Sequence, residues 1–384
     1  MHHVVLVVGQ LRLGGLERQA CLLARGLDRA RFRVTVVSLQ EGGVLVDALS
    51  REGVPVVQIA RRGRRDWRRL FRLTRVLREL RPDLVYSFNY EVNAYTRLAA
   101  FLARVPVIVT GERGIYMSRP QAALERLLGG LTNRVICNAE AVRSDLVKRV
   151  GLPPDKVAVV RNGVDIPPEA DARARAAARG SLGLPPEGLV IGTVARLHPV
   201  KNLPLLVETA RRCLEKVDAW FCIIGGGPEE GAIRRSSEQP VLKGRVILAG
   251  SRPEARDLLA AFDIFVLTSD VEGLPNAVME AMALGLPSVC TDVGGCRELI
   301  DDGVEGYLVP PRDVVLMTDR ILRLAGDGDL RARLGTAARR RALRNFAAER
   351  MVGATEAILS DLLAGRAERS PQGRSSARPE SVGL

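Results

Sequence analysis

The chain has 384 residues, 47% hydrophobic and 26% charged, which is typical of a globular protein large enough for two domains. Its formal net charge of +13 favours anionic partners such as phosphates or acidic lipid surfaces. No apolar run approaches the roughly 18 residues of a membrane span, and six scattered cysteines without a Cys-x-x-Cys pair argue against a zinc site or a disulfide framework and favour a reducing cytoplasm.

The first half of the chain alternates apolar strands with helical segments. Residues 4–8 form a continuous β-branched run, which indicates a first buried parallel strand rather than a signal peptide. Gly14-Gly15 and a helical segment follow, and this order predicts a doubly wound sheet. Further strands are predicted at residues 33–39, 54–59, 84–88, 105–110, 134–138 and 157–160.

The second half repeats this alternation after a proline-rich linker that contains Pro167-Pro168 and Pro185-Pro186. Strands are predicted at residues 190–195, 220–224, 246–248, 264–268, 288–291 and 306–309. We therefore expect one domain at residues 1–166, a second at 167–340, a C-terminal helix at 341–364 that crosses back to the first domain, and a disordered polar tail at 365–384.

An arginine-rich segment stands out between residues 61 and 81. Leu70, Leu73, Leu77 and Leu80 lie on one face of the predicted helix. With Trp67 and Phe71, the stretch Arg61–Arg72 is compatible with an anionic membrane surface or with a solvated amphipathic helix. Nothing else in the sequence supports nucleic-acid binding.

Two glutamates follow the strand at residues 264–268. Glu272 falls in a Gly-Leu-Pro-Asn loop, and Glu280 falls in a helix that is predicted to begin near Asn276. Helix N-termini at strand ends bind anions, and carboxylates accept hydrogen bonds from vicinal hydroxyls such as those of sugars. The glutamates are therefore candidates for a sugar or ribose site, and the alternative is a pair of solvated charges.

A second strand end carries cations. Arg196 and Lys201 follow the strand at residues 190–195 and together suit a diphosphate, although a basic surface loop has the same composition. Gly225 and Gly227 follow the next strand and permit close backbone approach to a ligand.

Other phosphate and metal motifs are missing or misplaced. The glycines after the first strand match neither the dinucleotide fingerprint nor the P-loop, which disfavours a nicotinamide enzyme and a nucleotide triphosphatase. Asp327-Gly328-Asp329 lies between late helices, indicates a capping turn, and leaves no metal site predicted.

In combination, these segments resemble the family-4 retaining glycosyltransferases. Their fold is α/β and is named GT-B: two Rossmann-like doubly wound parallel-sheet domains face each other across a cleft. The matching marks are Gly14-Gly15-x-Glu17, Arg81-Pro82-Asp83, Asn138-Ala139-Glu140, Arg161-Asn162-Gly163-Val164-Asp165, Arg196-x4-Lys201-Asn202, Gly225-x-Gly227-Pro228 and Glu272-x7-Glu280.

The resemblance implies transfer of a hexose, with retention, from a nucleotide-diphosphate sugar to a hydroxyl of a glycan or lipid-linked acceptor. It implies a UDP- or GDP-sugar as donor substrate, no cofactor, and a role in cell-surface polysaccharide or glycolipid biosynthesis. The expected location is the cytoplasm, with peripheral attachment to the inner face of the plasma membrane if the segment Arg61–Arg72 binds lipid.

The resemblance also implies residue roles. Arg196 and Lys201 would stabilise the leaving diphosphate, Glu272 would bind the transferred sugar, and these three are the expected catalytic residues. Glu280 would bind the ribose. The remaining expected donor contacts are Gly15, Gly225, Gly227, Ser251, Arg252, Gly273, Leu274, Pro275 and Asn276, and the expected acceptor or sugar contacts are Asn89, Glu112 and Arg113.

Two other functions are compatible with the same fold. One is a sugar-nucleotide epimerase, a hydrolase or a phosphorylase, and the other is a non-catalytic nucleotide-sugar-binding protein. Many relatives carry first-domain histidines near the cleft, whereas this chain has Glu112 and Arg113 there, which weakens the epimerase hypothesis.

Overall fold

A computed structural model describes residues 1–367, except for residues 61, 62, 64, 65, 116 and 117. The first domain begins with a buried strand whose residues 4–8 are fully inaccessible to solvent. Its strands are β1 (His2–Val8), β2 (Phe32–Ser38), β3 (Val56–Gln58), β4 (Leu84–Phe88), β5 (Val107–Glu112), β6 (Arg134–Cys137) and β7 (Val157–Val159). Its helices are α1 (Gly15–Gly26), α2 (Val44–Arg51), α3 (Arg68–Leu80), α4 (Tyr90–Leu102), α5 (Arg119–Leu128) and α6 (Glu140–Asp145).

The second domain restarts the alternation after the linker. Its strands are β8 (Leu189–Val194), β9 (Ala219–Ile224), β10 (Val246–Gly250), β11 (Ile264–Leu267), β12 (Ser288–Thr291) and β13 (Gly306–Val309). Its helices are α7 (Ala172–Ser181), α8 (Leu203–Leu214), α9 (Glu230–Ser237), α10 (Ala255–Leu258), α11 (Asn276–Ala283), α12 (Cys296–Leu299), α13 (Val314–Gly326) and α14 (Gly328–Asn345), followed by α15 (Ala348–Ala367).

Within the described residues, these strands form two parallel sheets. The first has the order β3-β2-β1-β4-β5-β6-β7 and the second β10-β9-β8-β11-β12-β13. In each sheet the order reverses beside the first strand, between β1 and β4 and between β8 and β11. Open parallel sheets bind ligands outside the carboxyl ends of their strands at such a switch point. The predicted α/β GT-B architecture is therefore confirmed.

The last helix packs against the first domain. Ala348, Met351, Val352 and Leu359 join the core formed by α1 and the first sheet. The chain crosses where the Val164 N–H donates to Phe346 O at 2.8 Å and the Ala348 N–H donates to Val164 O at 3.0 Å.

These bonds correct the predicted bounds of the C-terminal helix. Residues up to Asn345 still belong to α14, which packs against α11 and α13 in the second domain. The helix that crosses back begins at Ala348 and continues to Ala367, beyond the predicted start of the tail at Gly365. The rest of the predicted tail, residues 368–384, lies outside the described residues.

The fold bears on several smaller expectations. Asp327 caps α14, because its carboxylate accepts the Leu330 N–H at 2.9 Å, as the capping interpretation predicted. All six cysteines lie in the described part of the chain, and none forms a disulfide. No helix in that part is both long enough and apolar enough to cross a membrane. Four arginines of the basic segment, Arg61, Arg62, Arg64 and Arg65, fall outside it.

Candidate active site

Lys201 is positioned by a short turn at the carboxyl end of β8. Residues Pro199–Lys201 form a 3-10 turn, and Asn202 ends it with a left-handed φ of 45°. The carbonyl of Lys201 accepts the Thr268 hydroxyl at 2.9 Å, and the Asp270 N–H donates to Val200 O at 2.9 Å. The loop that carries Lys201 is therefore bound at two points to the end of β11.

The loop after β11 brings Glu272 to Lys201. Lys201 Nζ lies 2.5 Å from Glu272 Oε1, and the Ser269 hydroxyl donates to the same oxygen at 2.6 Å. The Lys201 side chain is 24% exposed and the Glu272 side chain 10% exposed, so solvent reaches the pair. A bound diphosphate and sugar can therefore compete with this contact for both side chains.

Arg196 lies at the same end of β8 and is exposed. Its guanidinium has no ion-pair or hydrogen-bond partner among the residues that the structure describes, whereas its carbonyl accepts the His198 N–H at 2.8 Å. An unpaired guanidinium at a strand end is available to a phosphate.

Gly225 and Gly227 hold the loop that carries Arg196. The Leu197 N–H donates to Gly226 O at 3.0 Å, and the Glu229 N–H donates to Leu197 O at 3.1 Å. Gly225 has a φ of 150°, and a Cβ there would lie 1.8 Å from Ala195 O. Only glycine permits this approach. The two predicted glycines therefore allow the segment after β9 to pack against the loop that carries Arg196.

Glu280 occupies a nearly enclosed position in α11. Burial raises the pKa of Glu280, and the Arg18 guanidinium, 3.4 Å away on α1 of the first domain, lowers it. Beside Glu280 lies a cavity of about 270 Å³ between α1, α2 and the segment 253–257. Both domains line this cavity, with Arg18, Arg25 and Asp165 on one side and Arg256 on the other.

The first domain meets the Glu272 loop through backbone groups of Gly15 and Arg113 and through the Asn162 side chain. The Asn276 side-chain amide donates to Gly15 O at 2.9 Å, and Asn162 donates to Asn276 Oδ1 at 2.7 Å. Gly273 lies so close that a Cβ there would be 2.1 Å from Arg113 O. Gly15, Gly273, Asn276 and Arg113 therefore lie together at the line where the two domains meet.

The remaining predicted residues differ in their freedom to bind a ligand. Asn89 is exposed at the start of α4 and has a left-handed φ of 78°. Glu112 is buried and accepts the Asn93 amide at 2.6 Å. Burial raises the pKa of Glu112 to about 8, and nearby Glu125 acts in the same direction. Burial of Glu112 thus favours its protonated form.

Ser251 and Arg252 lie behind the glycine loop of the second domain. The exposed Ser251 hydroxyl is close to Gly226, while the Arg252 guanidinium donates to Ala249 O at 3.1 Å. Neither residue lines the cavity next to Glu280, which contains Pro253 and Glu254 instead.

Two family models match the halves of the chain on either side of the linker. The model described as Glycosyltransferase Family 4 matches residues 13–166, and that described as Glycosyl transferases group 1 matches residues 174–341. The chain belongs to the family-4 glycosyltransferases. This protein is therefore a glycosyltransferase, as the motifs predicted.

Individual proteins resemble this glycosyltransferase to different extents. It is 27% identical over 331 residues to the UDP-Gal:alpha-D-GlcNAc-diphosphoundecaprenol alpha-1,3-galactosyltransferase of Escherichia coli, covering 82% of this chain and 86% of that protein. It is 29% identical over 253 residues to a D-inositol 3-phosphate glycosyltransferase of Streptomyces bingchenggensis, covering 63% of this chain but only 55% of that protein. Several other curated relatives are likewise matched over about half of their length.

Solved structures share the fold. HepE of Anabaena, crystallised with UDP-glucose, superposes with a TM-score of 0.84 at 22% identity and covers 94% of this chain and all of that one. Sucrose-phosphate synthase of Thermosynechococcus elongatus gives a TM-score of 0.75 at 17% identity over 95% of this chain and all of that one.

Three residues near the site were not among the predicted contacts. Arg18 reaches Glu280, and the buried Asn162 bridges to Asn276 across the domain boundary. Asn138 Oδ1 is buried near Gly273 and has no hydrogen-bond partner among the described residues. Asn162 and Asn138 lie in motifs that carried the family resemblance, so the sequence could have indicated both residues. Nothing in the sequence distinguishes Arg18 from other surface arginines, and only the folded chain shows its contact with Glu280.

Proposed function

We propose that this glycosyltransferase moves a hexose, with retention of anomeric configuration, from a nucleoside-diphosphate sugar to a hydroxyl of a glycan or lipid-linked acceptor. The main support is the contact between Lys201 and Glu272 at the switch point of the second sheet. At this position a cation that can bind a diphosphate is hydrogen-bonded to a carboxylate that can bind sugar hydroxyls. The E. coli relative is named for a UDP-galactose donor and a lipid-linked acceptor, and HepE was crystallised with UDP-glucose.

In the proposed reaction, the bond between the anomeric carbon and the diphosphate breaks as the acceptor oxygen forms a bond to that carbon. Negative charge builds on the diphosphate, and Arg196 and Lys201 stabilise it more in the transition state than in the ground state. The leaving phosphate oxygen takes the proton of the acceptor hydroxyl.

Retention is proposed through attack on the face from which the diphosphate leaves. A double-displacement mechanism requires carboxylates on opposite sides of the sugar ring. Glu272 and Glu280 belong to one loop and the helix that follows it, which favours front-face substitution over a covalent intermediate. Glu272 would then bind the sugar, with Gly273, Leu274, Pro275 and Asn276 beside it.

The nucleoside is proposed to bind on the other side of the diphosphate. Glu280 would accept hydrogen bonds from the ribose hydroxyls. Arg18 would then have to move away from the Glu280 carboxylate or bind it together with the ribose. The adjoining cavity of about 270 Å³ is proposed to receive the base, and we prefer Pro253 and Glu254 to Ser251 and Arg252 as its lining.

No metal is required in this proposal because Arg196 and Lys201 supply the positive charge at the leaving group. Activity should therefore survive exhaustive treatment with EDTA. The proposed compartment is the cytoplasm, and a lipid-linked acceptor would bring the enzyme to the inner face of the plasma membrane, in cell-surface polysaccharide or glycolipid biosynthesis.

The test combines the purified chain with UDP-, GDP- and ADP-hexoses labelled in the sugar and with a short-chain polyprenyl diphosphate-linked sugar. We expect label in the acceptor, and the anomeric proton coupling of the product should match that of the donor. A changed donor sugar would indicate an epimerase, free sugar a hydrolase, and donor binding without turnover a non-catalytic protein. An inverted product would overturn the proposed mechanism.

A further inference from the structure

Exposed apolar side chains are concentrated on one part of the first domain. Of the fourteen large hydrophobic residues that are exposed in the described part of the chain, seven fall between residues 67 and 127. They are Trp67, Phe71, Leu98, Phe101, Leu102, Leu124 and Leu127. They include every aromatic residue of that set. Single exposed apolar residues are ordinary, but a cluster marks an interaction surface.

Six of these residues lie on three neighbouring helices on one face of the sheet, and Trp67 immediately precedes the first of these helices. The connections β3-α3-β4, β4-α4-β5 and β5-α5-β6 advance across the sheet in one direction, so right-handed crossovers place all three helices on the same side. Leu73 and Leu77 of α3 and Ala99 of α4 face the sheet in a common core. The exposed residues of α3 and α4 consequently point outward.

The surface is continuous between α3 and α4. Arg78 of α3 donates to Leu102 O of α4 at 2.9 Å, and Phe101 and Leu102 line a hollow beside Arg78. Trp67 and Phe71 make an edge-to-face contact with ring centroids 5.9 Å apart. Helix α5 packs against α4 and adds Leu124 and Leu127.

The charges around these apolar residues are mostly positive. Exposed arginines on or next to the three helices are Arg68, Arg75, Arg78, Arg81, Arg104, Arg119 and Arg126. The exposed acids of the helices are Glu79, which pairs with Arg75 at 2.7 Å, and Glu91. The remaining acid, Glu125, is buried against Arg97. A ligand for this face therefore has to offer both apolar contact and negative charge.

We infer that the outward face of α3, α4 and α5 is a docking surface for an anionic lipid bilayer. The aromatic and leucine side chains insert at the level of the headgroups, while the arginines extend along them to the lipid phosphates. The sequence pointed only to the stretch Arg61–Arg72, whereas the folded chain adds α4 and α5. A lipid-linked acceptor gives this docking a purpose under the proposed function, but binding can be measured without turnover.

The topology of the first sheet places one end of this surface on the cleft side of the domain. Each of the three helices begins at the carboxyl edge of the sheet and runs back to its amino edge. Trp67 and Phe71 lie on the cleft side of the surface, and Phe101 and Leu102 lie at the far end. When this face binds a membrane, the cleft therefore lies at the edge of the contact and not between the protein and the membrane.

Trp67 provides a direct reporter. The chain contains two tryptophans, and the other is Trp220 in the second domain. In the full-length Trp220→Phe variant, Trp67 emission should shift to the blue and be quenched by brominated lipids on vesicles that combine phosphatidylcholine with phosphatidylglycerol. The signal should weaken as salt is added. No shift with these vesicles, or an equal shift with phosphatidylcholine alone, would overturn the inference.

Paired variants separate charge from apolar contact. Arg68→Glu/Arg75→Glu and Phe71→Ser/Phe101→Ser should each weaken cosedimentation with anionic vesicles by about tenfold or more. The matched controls Arg344→Glu and Val315→Ser, both exposed in the second domain, should bind like the wild type. Equal binding by all four variants would overturn the proposed surface.

Two further measurements keep the result interpretable. Circular dichroism melts identify any variant that fails to fold, and thermal shift with the donor should be unchanged in the folded ones. Retained donor binding with lost vesicle binding separates this inference from the proposed function. Light scattering that shows a dimer, disrupted by Phe71→Ser/Phe101→Ser, without vesicle binding would assign the face to a second copy and refute lipid docking.

Discussion

The two domains carry their charges differently. On the second domain, Lys201 and Glu272 form a pair that solvent reaches, and the exposed Arg196 guanidinium has no partner among the described residues. On the first domain, Arg97 and Glu125 are 0% and 1% exposed and bind each other, with Thr110 and Thr132 completing the set. Charged side chains can therefore serve either a ligand or the fold, and accessibility decides which.

The largest expected effect lies on the first-domain side. Arg97→Ala leaves the Glu125 carboxylate buried without its cation, which should lower the free energy of unfolding by about 3–5 kcal/mol. Urea denaturation measures this. The control Arg75→Ala removes the exposed partner of Glu79 in the same helical layer and should cause no measurable change. Similar losses in both variants would contradict the contrast between buried and exposed pairs.

On the second-domain side, Lys201→Ala should affect the reaction rather than the fold. Loss of the cation at the leaving diphosphate should lower kcat by a factor of about 10²–10³, as for removal of one preorganised stabilising group. The free energy of unfolding should stay near that of the wild type, because Ser269 still donates to Glu272. A nearly normal kcat would remove Lys201 from the catalytic residues.

Glu112 allows a pH test of the first-domain network. Its pKa is about 8 in the folded protein against an ordinary value of 4.5, so the folded state retains a proton that the unfolded chain releases. The contribution of this group to the free energy of unfolding is therefore fully present below about pH 4.5 and is lost as the pH rises toward 8. Between pH 5 and 8.5 the free energy of unfolding of the wild type should fall by at least about 1.4 kcal/mol more than that of Glu112→Gln. Parallel stability curves would show that Glu112 does not hold this proton.

The smallest expected effect sharpens the assignment of Lys201. Arg312 also carries a positive charge near the loop after β11, where it pairs with Asp270 at 2.8 Å, but its side chain is 76% exposed. Arg312→Ala should leave both kcat and the unfolding midpoint unchanged. Asn202 continues to donate to Asp270 at 3.0 Å. A tenfold loss of kcat would mean that the general positive field, not the position of Lys201, supports the reaction.

Helix boundaries show where sequence patterns are incomplete. Every strand of the two sheets overlaps a predicted apolar run, and α11 begins at the predicted Asn276. The predicted C-terminal helix, however, included the end of α14. The interruption at Phe346 depends on hydrogen bonds to Val164, which is distant in the sequence. Helical periodicity continues on both sides and does not reveal it.

The sequence by itself determined the two parallel sheets, because strands buried on both faces must be continuous apolar runs. It also determined the family and the candidate residues at the strand ends, since these lie in short local motifs. Tertiary structure alone decided which charges are buried and which remain accessible. It also brought Arg18 to Glu280 and gathered the exposed apolar residues of α3, α4 and α5 on one face. Such contacts join residues far apart in the chain, where no local pattern records them.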